Sequence, residues 1–173
     1  MHQDTIVLGG GCFWCLEAVF QRIQGIVTIE SGYAGGNTAH PTYKQVCGGN
    51  SGHAEVVKIS YDSSVLSMNQ VFDLFFVAHD PTTLNRQGND IGSQYRSIIF
   101  YKNDSEKLAA VKAIERAQSR YRNKIVTELQ PLDQFQFYKA ENYHQNYFNQ
   151  NKEAGYCQYV IQPKLTHLGL VDL

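Results

Sequence analysis

Cys12 follows three glycines and an apolar run, Thr5–Leu8, and a helical apolar period starts straight after it at Leu16, Ala18, Val19, Phe20 and Ile23. The thiol is therefore expected at or near the first turn of a helix, beside backbone flexible enough for a substrate to come close. A helix N-terminus carries partial positive charge and free N–H groups, which lower a thiol's pKa and favour the nucleophilic thiolate. Trp14, the only tryptophan in the chain, is two residues away. A small buried cysteine at a turn is the plainer reading, but the glycines and the helix start are what thiol activation needs.

Glu55 is the second candidate. Residues 54–61 alternate like a strand, and Glu55 shares the more apolar face with Val57, Ile59 and Tyr61. A carboxyl on that face is desolvated and its pKa rises. Still protonated near neutral pH, it can donate to a developing oxyanion. An ordinary exposed strand-end glutamate is the competing reading.

Cys12 and Cys15 form a Cys-x-x-Cys pair. A zinc half-site needs a second Cys or His pair at short spacing, yet Cys47 and Cys157 stand alone and the six histidines are scattered. A dithiol redox pair is an open alternative, although Phe13 and Trp14 put bulk between the two thiols. Cys15 is read as a helix residue facing the core. Tyr43 and Tyr95 lie beside polar loops, where a phenol can hydrogen-bond an oxygen without ionising. Asp90 and Arg86 fall in a long loop, with an Asx turn and a surface charge as the plainer readings. His53 and His144 are read as structural hydrogen-bonders. No metal site is expected.

The elements that position these residues read as follows. A strand at 5–8 leads through Cys12 into a helix, then a second strand at 26–33. Residues 32–53 form a shaped loop with a short helix near Thr42–Cys47, followed by the strand at 54–61. Ser67 and Gln70 form a capping box that opens a helix to about Ala78. Residues 79–94 read as a long unstructured connection, a kind usually functional. A strand at 95–102 precedes a helix, capped by Asn103 and Glu106, that runs to about Arg122 with Leu108, Val111, Ile114, Ala117 and Tyr121 on one side. A weaker strand includes Thr127–Leu129 and Phe135–Tyr138, and 142–150 reads as a short helix. From Asn151 the glycines and Pro163 suggest a tail laid over the surface. The order implies an α/β (α+β) domain, a two-layer sandwich with a ferredoxin-like split βαβ core, long loops and an irregular C-terminal tail. Residues 1–173 read as one domain, with a core of about 5–150 and a tail of 151–173.

Fifteen basic against sixteen acidic residues give no electrostatic case for nucleic acid or an anionic membrane. No apolar stretch approaches the ~20 residues that span a bilayer. The Gly-Cys turn comes too early to leave room for a signal peptide. Four cysteines in 173 residues are too few for a disulfide framework. A cytoplasmic chain with reduced thiols is expected.

Together, Gly11-Cys-Phe-Trp-Cys-Leu-Glu17, Pro41-Thr-Tyr43 with Gln45-Val-Cys47, Gly52-His-Ala-Glu-Val56, His79-Asp-Pro81, Arg86-Gln-Gly-Asn-Asp90, Gln94-Tyr-Arg96 and Asn142-Tyr-His-Gln145 resemble the methionine sulfoxide reductase A family. The resemblance runs from about residue 5 to about 163. It implies an enzyme that returns the S epimer of methionine sulfoxide, free or in proteins, to methionine. It makes Cys12 the nucleophile, and Phe13 and Trp14 the pocket for the S-methyl group. Glu55 is implied as proton donor, with Tyr43 and Tyr95 holding the sulfoxide oxygen and Asp90 in the same pocket. Cys157, in Gly155-Tyr-Cys-Gln-Tyr159, is implied as the tail cysteine that resolves the Cys12 sulfenic acid to a disulfide.

The resemblance also implies repair of oxidised proteins by a monomer with no cofactor, regenerated by thioredoxin or another dithiol. Cys47 is read as buried and non-catalytic. Cys15 departs from the family pattern, in which glycine is common, so a part for it in resolution stays open. Residues i and i+3 of a helix are nevertheless expected to be poorly placed for an unstrained disulfide. A general Cys-x-x-Cys oxidoreductase and a zinc- or methionine-binding module are the competing functions.

Overall fold

The computed structural model describes residues 2–170. Three long strands, β1 (Gln3–Gly9), β2 (Ile26–Ala34) and β3 (Ala54–Asp62), form the middle of the fold, β1 through the apolar run Ile6–Leu8 and β3 through its apolar face. Helix α1 (Phe13–Phe20) connects β1 to β2, and the short α2 (Tyr43–Cys47) lies between β2 and β3. Helix α3 (Met68–Ala78) opens on the expected Ser67–Gln70 capping box. Within the 79–94 connection, β4 (Arg86–Gln87) and β5 (Asp90–Ile91) form a small hairpin. Strand β6 (Ile98–Tyr101) and helix α4 (Asp104–Gln118) follow. Strands β7 (Glu128–Pro131) and β8 (Tyr138–Lys139) and helices α5 (Tyr147–Gln150) and α6 (Gln162–His167) complete the order.

The main sheet runs β7-β6-β1-β3-β2-β8. Its inner four strands, β6-β1-β3-β2, are antiparallel neighbours. With α1 and α3 as crossovers, they make the expected ferredoxin-like split βαβ core. Val57, Ile59 and Tyr61 of β3 join the larger core with Phe13, Leu16, Phe20, Phe72 and Phe76. Ala54 and Val56 face the other side, where Leu132, Phe135 and Phe137 cover a smaller apolar cluster. No helix among the described residues is long and apolar enough to cross a membrane.

Several local expectations change. The weak strand is two strands on opposite edges of the sheet: β7 pairs parallel with β6, and β8 pairs antiparallel with β2. Residues 93–95 form a 3-10 turn, so β6 begins at Ile98 rather than 95. Helix α4 ends at Gln118 because the Gln118 side chain bonds Asn123 O and Ile125 N and turns the chain away. Its buried stripe is Glu106, Ala110, Ala113 and Ala117, and Leu108 is 54% exposed. Alanines let α4 pack closely, which apolar periodicity alone does not reveal. The 142–150 helix is broken by Asn146, whose φ is 56°. Gln145 also clamps this segment to β2, accepting from Ser31 N and donating to Ser31 O.

The C-terminal segment is the largest correction. It is helical and packed rather than irregular: Cys157–Ile161 form a π-helical turn that continues into α6. Cys157, Ile161 and Leu165 are spaced four apart and are all buried. Pro163 is the second residue of α6, directly after the π-helical turn. The tail's last residues, 171–173, lie outside the described residues, as does Met1.

Gly32 of β2 pairs with β8 where Phe137 and Tyr138 crowd against it. A Cβ there would meet the Phe137 ring and lie 2.5 Å from the Tyr138 carbonyl oxygen. Gly32→Ala is expected to cost about 1–3 kcal/mol through overpacking, read as a lower denaturant midpoint. An unchanged midpoint would mean the edge strand yields freely.

Candidate active site

The glycines before Cys12 are demanded by their neighbours. A Cβ on Gly10 would lie 2.8 Å from the His79 ring, and Gly11 has φ +82° with the Gln87 side chain against it. His79 is itself fixed, its Nδ1 2.6 Å from Phe75 O and its Nε2 2.7 Å from Ser97 Oγ. Burial lowers its pKa to about 4, so it packs the turn as a neutral ring.

Cys12 is the N-cap of α1, in extended conformation, and is 7% exposed. Its thiol is not poised as a thiolate. Burial first, then the Glu55 and Cys15 charges, push its pKa well above the ordinary value. The Trp14 N–H pulls the other way without making a side-chain cap bond. The expected lowering by the helix terminus is outweighed by desolvation.

Glu55 is 1% exposed, on the apolar face of β3 as expected. Its Oε1 accepts a hydrogen bond from Phe13 N at 3.1 Å. Burial raises its pKa to about 8; the Phe13 bond opposes this, and Asp90 adds to it. At neutral pH the carboxyl and the thiol beside it both carry their protons. Burial also raises the Tyr43 and Tyr95 phenols, with Glu55 contributing to each, so both remain donors. Tyr95 also feels the charges of Cys12 and Asp90. Cys12, Glu55, Tyr43, Tyr95 and Asp90 therefore share one neighbourhood.

Phe13 is fully buried, its ring against Tyr33 and His144. Trp14 is half-buried and stacks on Tyr147 with 3.7 Å between centroids. Trp14 Nε1–H donates to His144 Nδ1 at 3.0 Å. That bond makes His144 the structural hydrogen-bonder expected of it.

A cleft of about 410 Å³ opens over Cys12 and Cys15, lined by Gln87–Asp90 of the hairpin and by Tyr156, Tyr159, Val160 and Lys164 of the tail. Glu55, Tyr43 and Tyr95 do not line it. Tyr156 escaped the reading of the sequence. Its hydroxyl donates to Asp90 Oδ2 at 2.6 Å and lies 3.7 Å from Cys15 Sγ. Glu141, also missed, accepts from Tyr33 OH and Tyr43 N and so anchors α2. Their only signal was proximity to the Asn142–Gln145 motif and to Cys157.

All four cysteines are free. Cys157 is fully buried. Cys47, read as buried, is exposed, because Val46 takes the inward position of the five-residue α2. Among the described residues no group of three or more His, Cys, Asp or Glu is arranged to hold a metal ion.

The family model described as Peptide methionine sulfoxide reductase matches residues 4–170. The chain belongs to this family. A peptide methionine sulfoxide reductase MsrA from Leptospira borgpetersenii is 52% identical over 95% of this chain and 92% of its own length. One from Acinetobacter baumannii is 54% identical over 96% and 94%. Among solved structures, Mxr1 from Saccharomyces cerevisiae in reduced form aligns with a TM-score of 0.83 at 38% identity, covering 90% of this chain and 89% of that one. The same yeast protein in an unusual oxidised form aligns at 0.66, with 37% identity and coverage of 87% and 83%. In complex with Trx2 it aligns at 0.59, with 30% identity and coverage of 84% of each chain. This reductase, with its thiols free, is thus more like the reduced yeast form than the other two.

Proposed function

We propose that this chain reduces the S epimer of methionine sulfoxide, free and in proteins, with Cys12 as nucleophile and Glu55 as proton donor. Membership of the reductase family makes the overall reaction thiol-dependent return of the sulfoxide to methionine. The observation that carries the residue roles is the pairing of a buried Cys12 thiol with a Glu55 carboxyl still protonated near neutral pH.

A sulfoxide oxygen leaves only once it is protonated. Glu55 supplies that proton and takes up the one released by Cys12, so the site needs no preformed thiolate. Cys12 sulfur attacks the sulfoxide sulfur, and the oxygen ends on Cys12 as a sulfenic acid. Methionine leaves with its sulfur reduced by two electrons, and Cys12 is oxidised by two. Tyr43 and Tyr95 donate to the oxygen while it is transferred. Phe13 and Trp14 enclose the methyl group, and Asp90 borders the same site. Cys157 ends the thiol sequence in a disulfide. A thioredoxin-type dithiol then restores it by exchange, a reading supported by the yeast relative's complex with Trx2. The electrons come from thiols, so no resident cofactor is invoked. Residues 1–173 act as one reductase domain with the resolving cysteine in its 151–173 tail, in a reducing compartment such as the cytoplasm.

The test is methionine release from S- and R-methionine sulfoxide with dithiothreitol as reductant, followed against pH. Only the S epimer should react. The rate should be full where Glu55 is protonated and should fall as pH rises through about 8. A rate that climbed steadily through pH 9, as thiolate formation alone would give, would overturn Glu55 as the acid. Trp14→Ala should raise KM for the sulfoxide while the fold holds, because the methyl group loses its apolar wall. An unchanged KM would place that wall elsewhere.

A further inference from the structure

We propose that Cys15 is the first thiol to resolve oxidised Cys12, and that it passes the disulfide on to Cys157. The inference rests on the reading of Cys12 as nucleophile and adds a catalytic residue to it.

The local geometry favours this pair. Cys12 is the extended N-cap and Cys15 the third residue of α1, with Cys15 N–H donating to Cys12 O at 3.1 Å. A turn closed by such a bond holds its end Cα atoms within about 7 Å. An unstrained disulfide accepts about 4.4–6.8 Å. Poor placement of i and i+3 applies inside a helix; here one partner, Cys12, lies just outside it as the extended N-cap.

The surroundings differ from those of the oxygen-holding groups. Cys12 and Cys15 line the open cleft together with Tyr156 and Lys164. The Tyr156 hydroxyl gives its own hydrogen to Asp90, which leaves its oxygen to accept from the Cys15 thiol at 3.7 Å. Burial raises the Cys15 pKa above the ordinary thiol value, and Lys164 and then the Tyr156 hydroxyl oppose that rise. A thiolate is the attacking species, so these two groups offset part of what burial costs the attack. The Cys15 charge also bears on two of the other thiols, Cys12 and the fully buried Cys157.

The steps balance. Cys15 sulfur attacks Cys12 sulfur of the sulfenic acid; the S–O bond breaks, and hydroxide leaves as water with the Cys15 proton. Cys157 sulfur then attacks Cys15 sulfur. The Cys12–Cys15 bond breaks, Cys12 takes the Cys157 proton, and a Cys15–Cys157 disulfide remains. No further oxidant or reductant is consumed. The product joins α1 to the tail turn that also presents Tyr159, 81% exposed, and Val160, 40% exposed, at the surface.

The experiment is a rapid-quench single turnover of the reduced full-length chain with one equivalent of S-methionine sulfoxide, followed by thiol alkylation and peptide mapping. A Cys12–Cys15 bond should rise first and decay as Cys15–Cys157 appears, with one methionine released per chain. In Cys157→Ser the Cys12–Cys15 bond should persist, with loss of two hydrogens and no dimedone-reactive sulfenic acid. Direct appearance of Cys12–Cys157, or a lasting sulfenic acid in Cys157→Ser, would overturn the relay while methionine release kept the reductase reading. Absence of methionine from folded protein would instead overturn the reading beneath it.

Discussion

Cys12→Ser is expected to abolish methionine formation. The loss should be on the order of 10⁶-fold, the scale seen when a covalent nucleophile is removed. Serine has nearly the shape of cysteine, and the N-cap position favours a hydroxyl, so folding should survive. The protein should still melt cooperatively and should release no methionine even in a single turnover. That last readout matters, because loss of a resolving thiol would spare the first turnover. Retention of one methionine per chain in Cys12→Ser would move the nucleophile to another cysteine.

Glu55→Gln is expected to separate activity from stability. Gln can still accept the Phe13 N–H but cannot give up a proton, and a lost general acid costs about 10²–10⁴-fold in rate. Stability should move the other way. The Glu55 pKa in the fold is about 8, against an ordinary 4.5. Below pH 4.5 both folded and unfolded chains hold the proton, and the favourable contribution is fully present. As pH rises the unfolded chain releases its proton first, so stability falls until pH passes about 8. At pH 7 the penalty is on the order of 3 kcal/mol, and Gln escapes it. The variant should therefore be slower than the parent and, at pH 7, more resistant to urea. Equal stability at pH 7 and at pH 4.5 in the parent would show that Glu55 is not held protonated.

How far the chain could be read depended on whether each signal was local. Cys12 was legible as the end of a glycine turn, because a strand period stopped and a helix period began within a few residues. Glu55 was legible through strict alternation, which put it with Val57, Ile59 and Tyr61. The inner βαββαβ order followed from the same periods. The two-residue β4, β5 and β8 carry no period at all. Strands β7 and β8 are close in sequence but lie on opposite sheet edges, a choice made by pairing partners far along the chain. The tail misled because Gly155 and Pro163 read as breakers, while its buried stripe at Cys157, Ile161 and Leu165 was short. Tyr156 could not be found locally, since its partners are Asp90 and Cys15. The thiol's ionisation was misjudged because a helix end is visible in sequence and the depth of burial is not.

Cys12 takes the sulfoxide oxygen. The Cys15→Ser/Cys157→Ser double variant isolates that step, because no partner thiol removes the product. After one equivalent of S-methionine sulfoxide, dimedone should label Cys12 alone, and each chain should release one methionine. Methionine release with Cys12 unlabelled and still a free thiol, or no release from protein shown to be folded, would rule out Cys12 as the oxygen acceptor.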